Sequence, residues 1–128
     1  MSEYVVLLDD EIANTSSISE NIELEDRKVI SFNDPKEFLD FLSTDKFLHN
    51  LKLLVVDFAM PKINGFDVFK FIYDNKISLD SKFILYSGNI NQLKDSDKHF
   101  LLSMNVELLE KPATEKIINY AIEFVKEI

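Results

Sequence analysis

Cysteine is absent from this 128-residue sequence. That excludes disulfide frameworks, thiolate metal sites and cysteine nucleophiles. Histidine occurs only twice, at His49 and His99, which makes a multi-histidine metal centre improbable. Glycine (2) and proline (3) are too scarce for a loop-rich fold, so the position of each one carries information. Basic residues are in deficit: Lys plus Arg number 14 against 23 Asp plus Glu, a net charge of −9. A field of that sign repels a phosphate backbone, so no direct nucleic-acid binding is expected. No apolar run approaches the roughly 18 residues of a membrane span, and the start Met1-Ser2-Glu3 lacks the basic region of a signal peptide. The expectation is a soluble cytoplasmic protein. The 46% hydrophobic and 29% charged residues describe a globular chain with a core, and the length suits a single domain over 1–128.

What is present is a rhythm. Short apolar runs recur at residues 5–8, 29–32, 53–56, 83–86 and 106–109. They are rich in Val, Ile, Leu and Phe, and those without polar alternation read as strands covered on both faces. Between them lie amphipathic stretches. Asn33 or Asp34 can cap a helix with Pro35 in its first turn, followed by Phe38, Leu39, Phe41 and Leu42. Helices are expected over 65–75 and 91–104, and a final one capped by Thr114, with Ile117, Ile118, Ala121, Ile122 and Val125 facing the sheet. Residues 11–25 carry only Ile18 and Ile22 at helical spacing among poor helix formers; a helix is assigned there because a parallel crossover has to fit. Strand and helix thus alternate five times. This predicts an α/β fold: a doubly wound five-stranded parallel sheet, right-handed crossovers and five helices.

Ligands of such sheets bind beyond the carboxyl ends of the strands. Those ends here carry Asp9 and Asp10, then Asp57, then Ser87, then Lys111. Carboxylates about 4 Å apart repel by about 4 kcal/mol per pair at an effective dielectric near 20. Relief comes from proton uptake by one of them or from a cation. An all-oxygen site with room for water suits Mg²⁺. A phosphoryl group there would meet a metal, a lysine, a hydroxyl and backbone N–H groups, and an aspartate can accept it as an acyl phosphate.

The segments Leu7-Leu8-Asp9-Asp10-Glu11, Val55-Val56-Asp57-Phe58-Ala59-Met60-Pro61-Lys62-Ile63-Asn64-Gly65, Tyr86-Ser87-Gly88 and Glu110-Lys111-Pro112 resemble the signature of the response regulator receiver domain of two-component signalling. The resemblance spans residues 4–127. It implies a flavodoxin-like sheet of strand order 2-1-3-4-5, with Asp57 as phosphoacceptor. Asp9 and Asp10, with Asp57 and the backbone carbonyl of Ala59, would hold Mg²⁺, one of the first two through water. Ser87 and Lys111 would bind the phosphoryl group. Gly65 would allow close chain approach, Gly88 would leave room beside the phosphate, and Pro112 would follow Lys111 through a cis peptide bond. The implied partners are a histidine kinase or histidine phosphotransfer protein and a downstream protein target, with no output domain expected after the fifth helix. Such a protein accepts phosphate and is not a turnover enzyme.

Three positions depart from the family pattern. Leu108 stands where a switching Tyr or Phe is usual, Ala113 replaces a common Phe, and the first helix is unusually polar. Tyr120, Phe124 and Ile128 form a second stripe on the last helix. With Leu108 on the fifth strand they outline a possible partner or homodimer surface on the face of the fourth helix, fifth strand and fifth helix.

Rival readings are a receiver-like binding module that is never phosphorylated, a phosphate sink or relay, a phosphatase and a flavin-binding protein of the same topology. The haloacid-dehalogenase-like phosphatase pattern wants an acid at the position of Ala59, which has none to offer. No phosphate-cradling Gly-x-x-x-x-Gly-Lys-Ser/Thr loop exists.

Overall fold

A computed structural model describes residues 2–128. The chain runs β1 (Tyr4–Leu8), α1 (Ile12–Leu24), β2 (Lys28–Phe32), α2 (Pro35–Thr44), β3 (Leu51–Asp57), α3 (Gly65–Asp74), β4 (Lys82–Ser87), α4 (Asp95–Ser103), β5 (Val106–Glu110) and α5 (Thr114–Phe124). The five strands form one parallel sheet in the order β2-β1-β3-β4-β5. That is the expected 2-1-3-4-5 order.

The apolar runs fold as strands because both faces of the sheet are covered. Alternate residues point to opposite faces. Val5, Leu7, Leu53, Val55, Ile84 and Tyr86 pack with Ile18 and Ile22 of α1 and with Ile117 and Ala121 of α5. Tyr4, Val6, Leu8, Leu54, Val56 and Leu85 pack on the other side with Phe38, Val68, Phe69 and Leu101 from α2, α3 and α4. A strand buried on both sides has no polar alternation to show, which is why these runs read as continuous.

Local chemistry sets the helix starts. The Asp34 side chain accepts from the Lys36 N–H at 2.9 Å, with Pro35 in the first turn of α2. Asn64 and Asp67 form a reciprocal capping box at α3. The polar α1 is a helix after all. It buries only Thr15, Ile18 and Ile22, and Ser19 and Asn21 donate to carbonyls of the preceding turn. Thr15 is held from outside, its hydroxyl accepting from Asn33 at 2.9 Å.

Four expectations are corrected. The helix foreseen over 91–104 divides into a 3₁₀ turn at Ile90–Gln92 and α4, because Asn89 accepts from the Asn91 N–H and closes its own turn. Leu93 and Lys94 are then extended. Thr114 is not the cap of α5. Ala113 occupies that position, its carbonyl already accepting from the Ile117 N–H, with no side-chain cap. Finally, α5 ends at Phe124 and Val125 is extended, so Ile128 lies off the helix and cannot continue a helical stripe. Its N–H instead donates to the Asp26 carbonyl at 2.9 Å. Ile122, expected on the sheet face, is 39% exposed, because Ile117, Ala121 and Val125 fill that face.

Gly65 is required by crowding. A Cβ there would lie 2.3 Å from Leu85 Cδ1 and 2.6 Å from the Asp57 carbonyl oxygen. The start of α3 is thereby pressed against the end of β3. A Cβ on Gly88 would meet nothing within 4 Å, so sterics do not demand glycine there.

Candidate functional site

Parallel strands end side by side, and their last residues share one edge. Asp57 closes β3 and Ser87 closes β4; Asp9 and Asp10 follow β1, and Lys111 follows β5. Backbone bonds tie these ends together: the Asp9 N–H to the Phe32 carbonyl at 3.1 Å, Phe58 to Tyr86 at 2.9 Å, and Lys111 to Ser87 at 2.8 Å. The site is therefore a rim of the sheet rather than a set of loops.

Asp9, Asp10 and Asp57 each offer a carboxylate oxygen within 4.8 Å of the others. Asp9 and Asp57 are buried, and Asp10 is the one of the three that solvent reaches. Lys111 Nζ sits 2.9 Å from Asp57 Oδ1 and 3.7 Å from Asp9 Oδ2. Burial pushes the Asp57 carboxyl up to about 6; Lys111 opposes that, while the charges of Asp9 and Asp10 reinforce it. Burial alone would lower the Lys111 ammonium, but its bond to Asp57 and the charges of Asp57 and Asp9 outweigh it and hold the ammonium above its usual range. One lysine thus leaves three acids incompletely neutralised, and the oxygen-only donor set fits a hard divalent cation.

Ser87 is buried, its hydroxyl accepting from the Asn89 N–H at 3.2 Å. Ala59 is exposed in the turn that the Met60 N–H closes on the Phe58 carbonyl at 3.2 Å. The Lys111–Pro112 peptide bond is cis. Asp9, Asp10, Asp57 and Lys111 are thus brought into one cluster, with Ser87 and Ala59 on the adjoining strand end and turn.

Tyr86 is the residue the sequence reading did not place. Its hydroxyl donates to Asp9 Oδ2 at 2.5 Å, and Lys111 Nζ lies 4.6 Å from the centre of its ring. Burial, then the bond to Asp9, raises its phenol far above the ordinary range, so it remains a donor.

The second stripe is less free than its spacing suggested. Leu108 is half-buried against the larger core cluster. Tyr120 is half-buried too, and its hydroxyl donates to Glu107 Oε1 at 2.6 Å. Lys82 and Lys116 pair with the same carboxylate at 3.0 and 3.2 Å. Only Phe124, 39% exposed, extends from Tyr120 at a ring distance of 5.8 Å. Burial tends to raise Glu107, but the Tyr120, Lys82 and Lys116 bonds outweigh it and hold the carboxyl down at about 2. Its stabilising effect is therefore present above pH about 4.5 and lost as pH falls toward about 2. After discounting for solvent screening, Glu107→Gln is expected to cost about 1 kcal/mol at pH 7, roughly half of that near pH 3 and little near pH 2, measured by urea unfolding.

A family model described as the response regulator receiver domain matches residues 5–123. The receiver domain of Francisella response regulator 1452 is 20% identical, with a TM-score of 0.75, covering 94% of this chain and 94% of its own. A CheY-like receiver domain protein from Methanospirillum hungatei JF-1 is 19% identical, with a TM-score of 0.71 and 96% coverage of each chain. The Vibrio cholerae chemotaxis protein CheY4 is 14% identical, with a TM-score of 0.72, covering 96% of this chain and 98% of its own. At these identities the solved structures show the fold. No curated protein sequence matches the chain. Among the described residues no helix is long and apolar enough to cross a membrane.

Proposed function

The chain belongs to the response regulator receiver domain family, and from that membership we propose that Asp57 accepts a phosphoryl group from a phosphohistidine. The donor is a histidine kinase or a histidine phosphotransfer protein, and the modified domain signals through contacts with other proteins. The observation that carries this reading is the pairing of a buried Asp57 with Lys111 at 2.9 Å inside a three-carboxylate cluster.

In the proposed step an Asp57 carboxylate oxygen attacks the phosphorus. The new O–P bond forms as the N–P bond of the phosphohistidine breaks, and the imidazole leaves with the electron pair and takes up a proton. Lys111, already beside Asp57 Oδ1, lies where it can bind an oxygen of the transferred group. Ser87, whose hydroxyl spends its acceptor side on Asn89, has its proton free to donate to another. Asp9, Asp10, Asp57 and the Ala59 carbonyl would hold Mg²⁺, which when bound neutralises charge on the transferring group. The product stays on the protein, so the domain is a phosphoacceptor and not a turnover enzyme. A chain of this kind works in the cytoplasm, where its donors present their phosphohistidine.

Metal binding should be visible as stability. Mg²⁺ at ten times its dissociation constant stabilises by about 1.4 kcal/mol, or about 5 °C in melting temperature for a domain of this size. The experiment is labelling by phosphoramidate with Mg²⁺ and with EDTA, alongside thermal unfolding in both. The reading expects labelling and the upward shift only with Mg²⁺. Unchanged melting at millimolar Mg²⁺, together with no labelling, would reject it.

A further inference from the structure

Asp9 is more completely enclosed than a metal-binding carboxylate needs to be. It is fully buried, and protein donors surround it. The Glu11 N–H donates to Oδ1 at 2.9 Å. The Asn14 amide donates to Oδ2 at 3.1 Å, the Tyr86 hydroxyl donates to the same oxygen, and the Lys111 ammonium lies 3.7 Å from it. A carboxylate has about four lone-pair sites, and four donors are aimed at this one. Three of the four converge on Oδ2, where Tyr86 makes the shortest contact, while Oδ1 receives one.

Tyr86 connects this carboxylate to the rest of the cluster. Its hydroxyl meets Asp9 while its ring lies under the Lys111 ammonium, and Lys111 in turn reaches Asp57. The residue is itself 3% exposed, wedged on the α1–α5 side of the sheet beside a cavity of about 340 Å³ that Asn14 and Lys111 also line. Asp10, by contrast, faces solvent.

We infer that Tyr86 is a positioning residue that holds Asp9 in a hydrogen-bonded state and thereby restrains the cluster's affinity for a divalent cation. The inference rests on the receiver reading of the same cluster. Its logic is linkage. The hydroxyl stabilises the buried Asp9 charge when no cation is present. Taking the hydroxyl away leaves that charge poorly satisfied until a cation arrives, so cation binding gains what the metal-free protein has lost. A purely structural tyrosine would instead lower stability equally with and without the cation.

The test uses the whole chain and Mg²⁺ itself. Tyr86→Phe keeps the ring and its place beneath Lys111 but deletes the donor. Titration calorimetry is expected to show Mg²⁺ bound about tenfold more tightly, the effect of one hydrogen bond to a charged group. The Mg²⁺-induced rise in melting temperature should be larger in the variant than in the wild type, from a lower metal-free starting point. Asn14→Ala removes the side-chain amide donor from the same oxygen at a half-buried position. It should shift affinity in the same direction by less, which keeps the inference testable if Tyr86→Phe folds poorly. Mg²⁺ affinity in Tyr86→Phe that is equal to or weaker than wild type overturns the role of Tyr86 while leaving the receiver reading intact. A wild type that binds no Mg²⁺ overturns both.

Discussion

Asp57→Asn is expected to abolish phosphoryl labelling by small donors and, at the same time, to make the metal-free protein more stable. The first effect follows because an amide cannot form the acyl phosphate. The second follows from the raised carboxyl. Burial holds the Asp57 carboxyl up at about 6, against an ordinary 3.8. A carboxyl raised on folding stabilises below its unfolded value and loses that contribution as pH rises through about 6. Ionising it at neutral pH therefore costs the fold up to about 3 kcal/mol. Part of this is given back when Lys111 loses its 2.9 Å partner and keeps only Asp9 at 3.7 Å. The net gain expected for Asp57→Asn at pH 7.5 without metal is about 1–2 kcal/mol, shrinking toward zero near pH 4. Urea unfolding at the two pH values measures it. A variant less stable than wild type at pH 7.5 would show that the Lys111 pairing outweighs burial and repulsion.

The largest loss of stability is expected at Gly65. Its missing Cβ is what lets α3 begin against the end of β3. An alanine methyl would intrude on Leu85 Cδ1 and on the carbonyl of Asp57 itself. Leu85 is fully buried and has little room to turn away, and the carbonyl is backbone. Overpacking of this kind costs about 1–3 kcal/mol where side chains can yield, and a backbone contact puts Gly65→Ala at or above about 3 kcal/mol. Because the displaced carbonyl belongs to the phosphoacceptor, labelling should slow even at temperatures where the variant is folded. Gly88→Ala is the matched control: its Cβ would meet open space, so less than about 0.5 kcal/mol is expected. Equal losses at the two glycines in thermal unfolding would contradict the crowding argument.

The strands and the acidic rim were legible in the sequence because each depends on local pattern. Val5-Val6-Leu7-Leu8 is apolar throughout only where two helical layers cover it, and the residue that ends such a run must face the ligand edge. Asp9, Asp57 and Lys111 could thus be brought together by counting strands. What escaped depended on partners far along the chain or on a local side-chain competition. The bond from Tyr86 to Asp9 crosses 77 residues, and nothing in the Tyr86-Ser87-Gly88 segment announces it. The polar α1 could not be argued from its own composition, because Thr15 is secured by Asn33, beyond the end of β2. The break before α4 came from one asparagine side chain closing a turn, which helical periodicity does not register. Ile128 drops out of the stripe on α5 because periodicity continues past a helix end while the helix does not: Val125 turns extended and carries Ile128 away, leaving Tyr120 and Phe124 together. Tyr120 keeps its place on that face, tied to Glu107 on β5.

The central claim is that Asp57 is the phosphoacceptor, and trapping the acyl phosphate tests it most directly. The wild-type chain is incubated with acetyl phosphate and Mg²⁺, reduced with borohydride, which converts an aspartyl phosphate to homoserine, and mapped by peptide mass spectrometry. The account predicts homoserine at position 57 and nowhere else, lost when EDTA replaces Mg²⁺. Homoserine at position 9 or 10, or an unmodified position 57 under conditions that label another receiver, would contradict it.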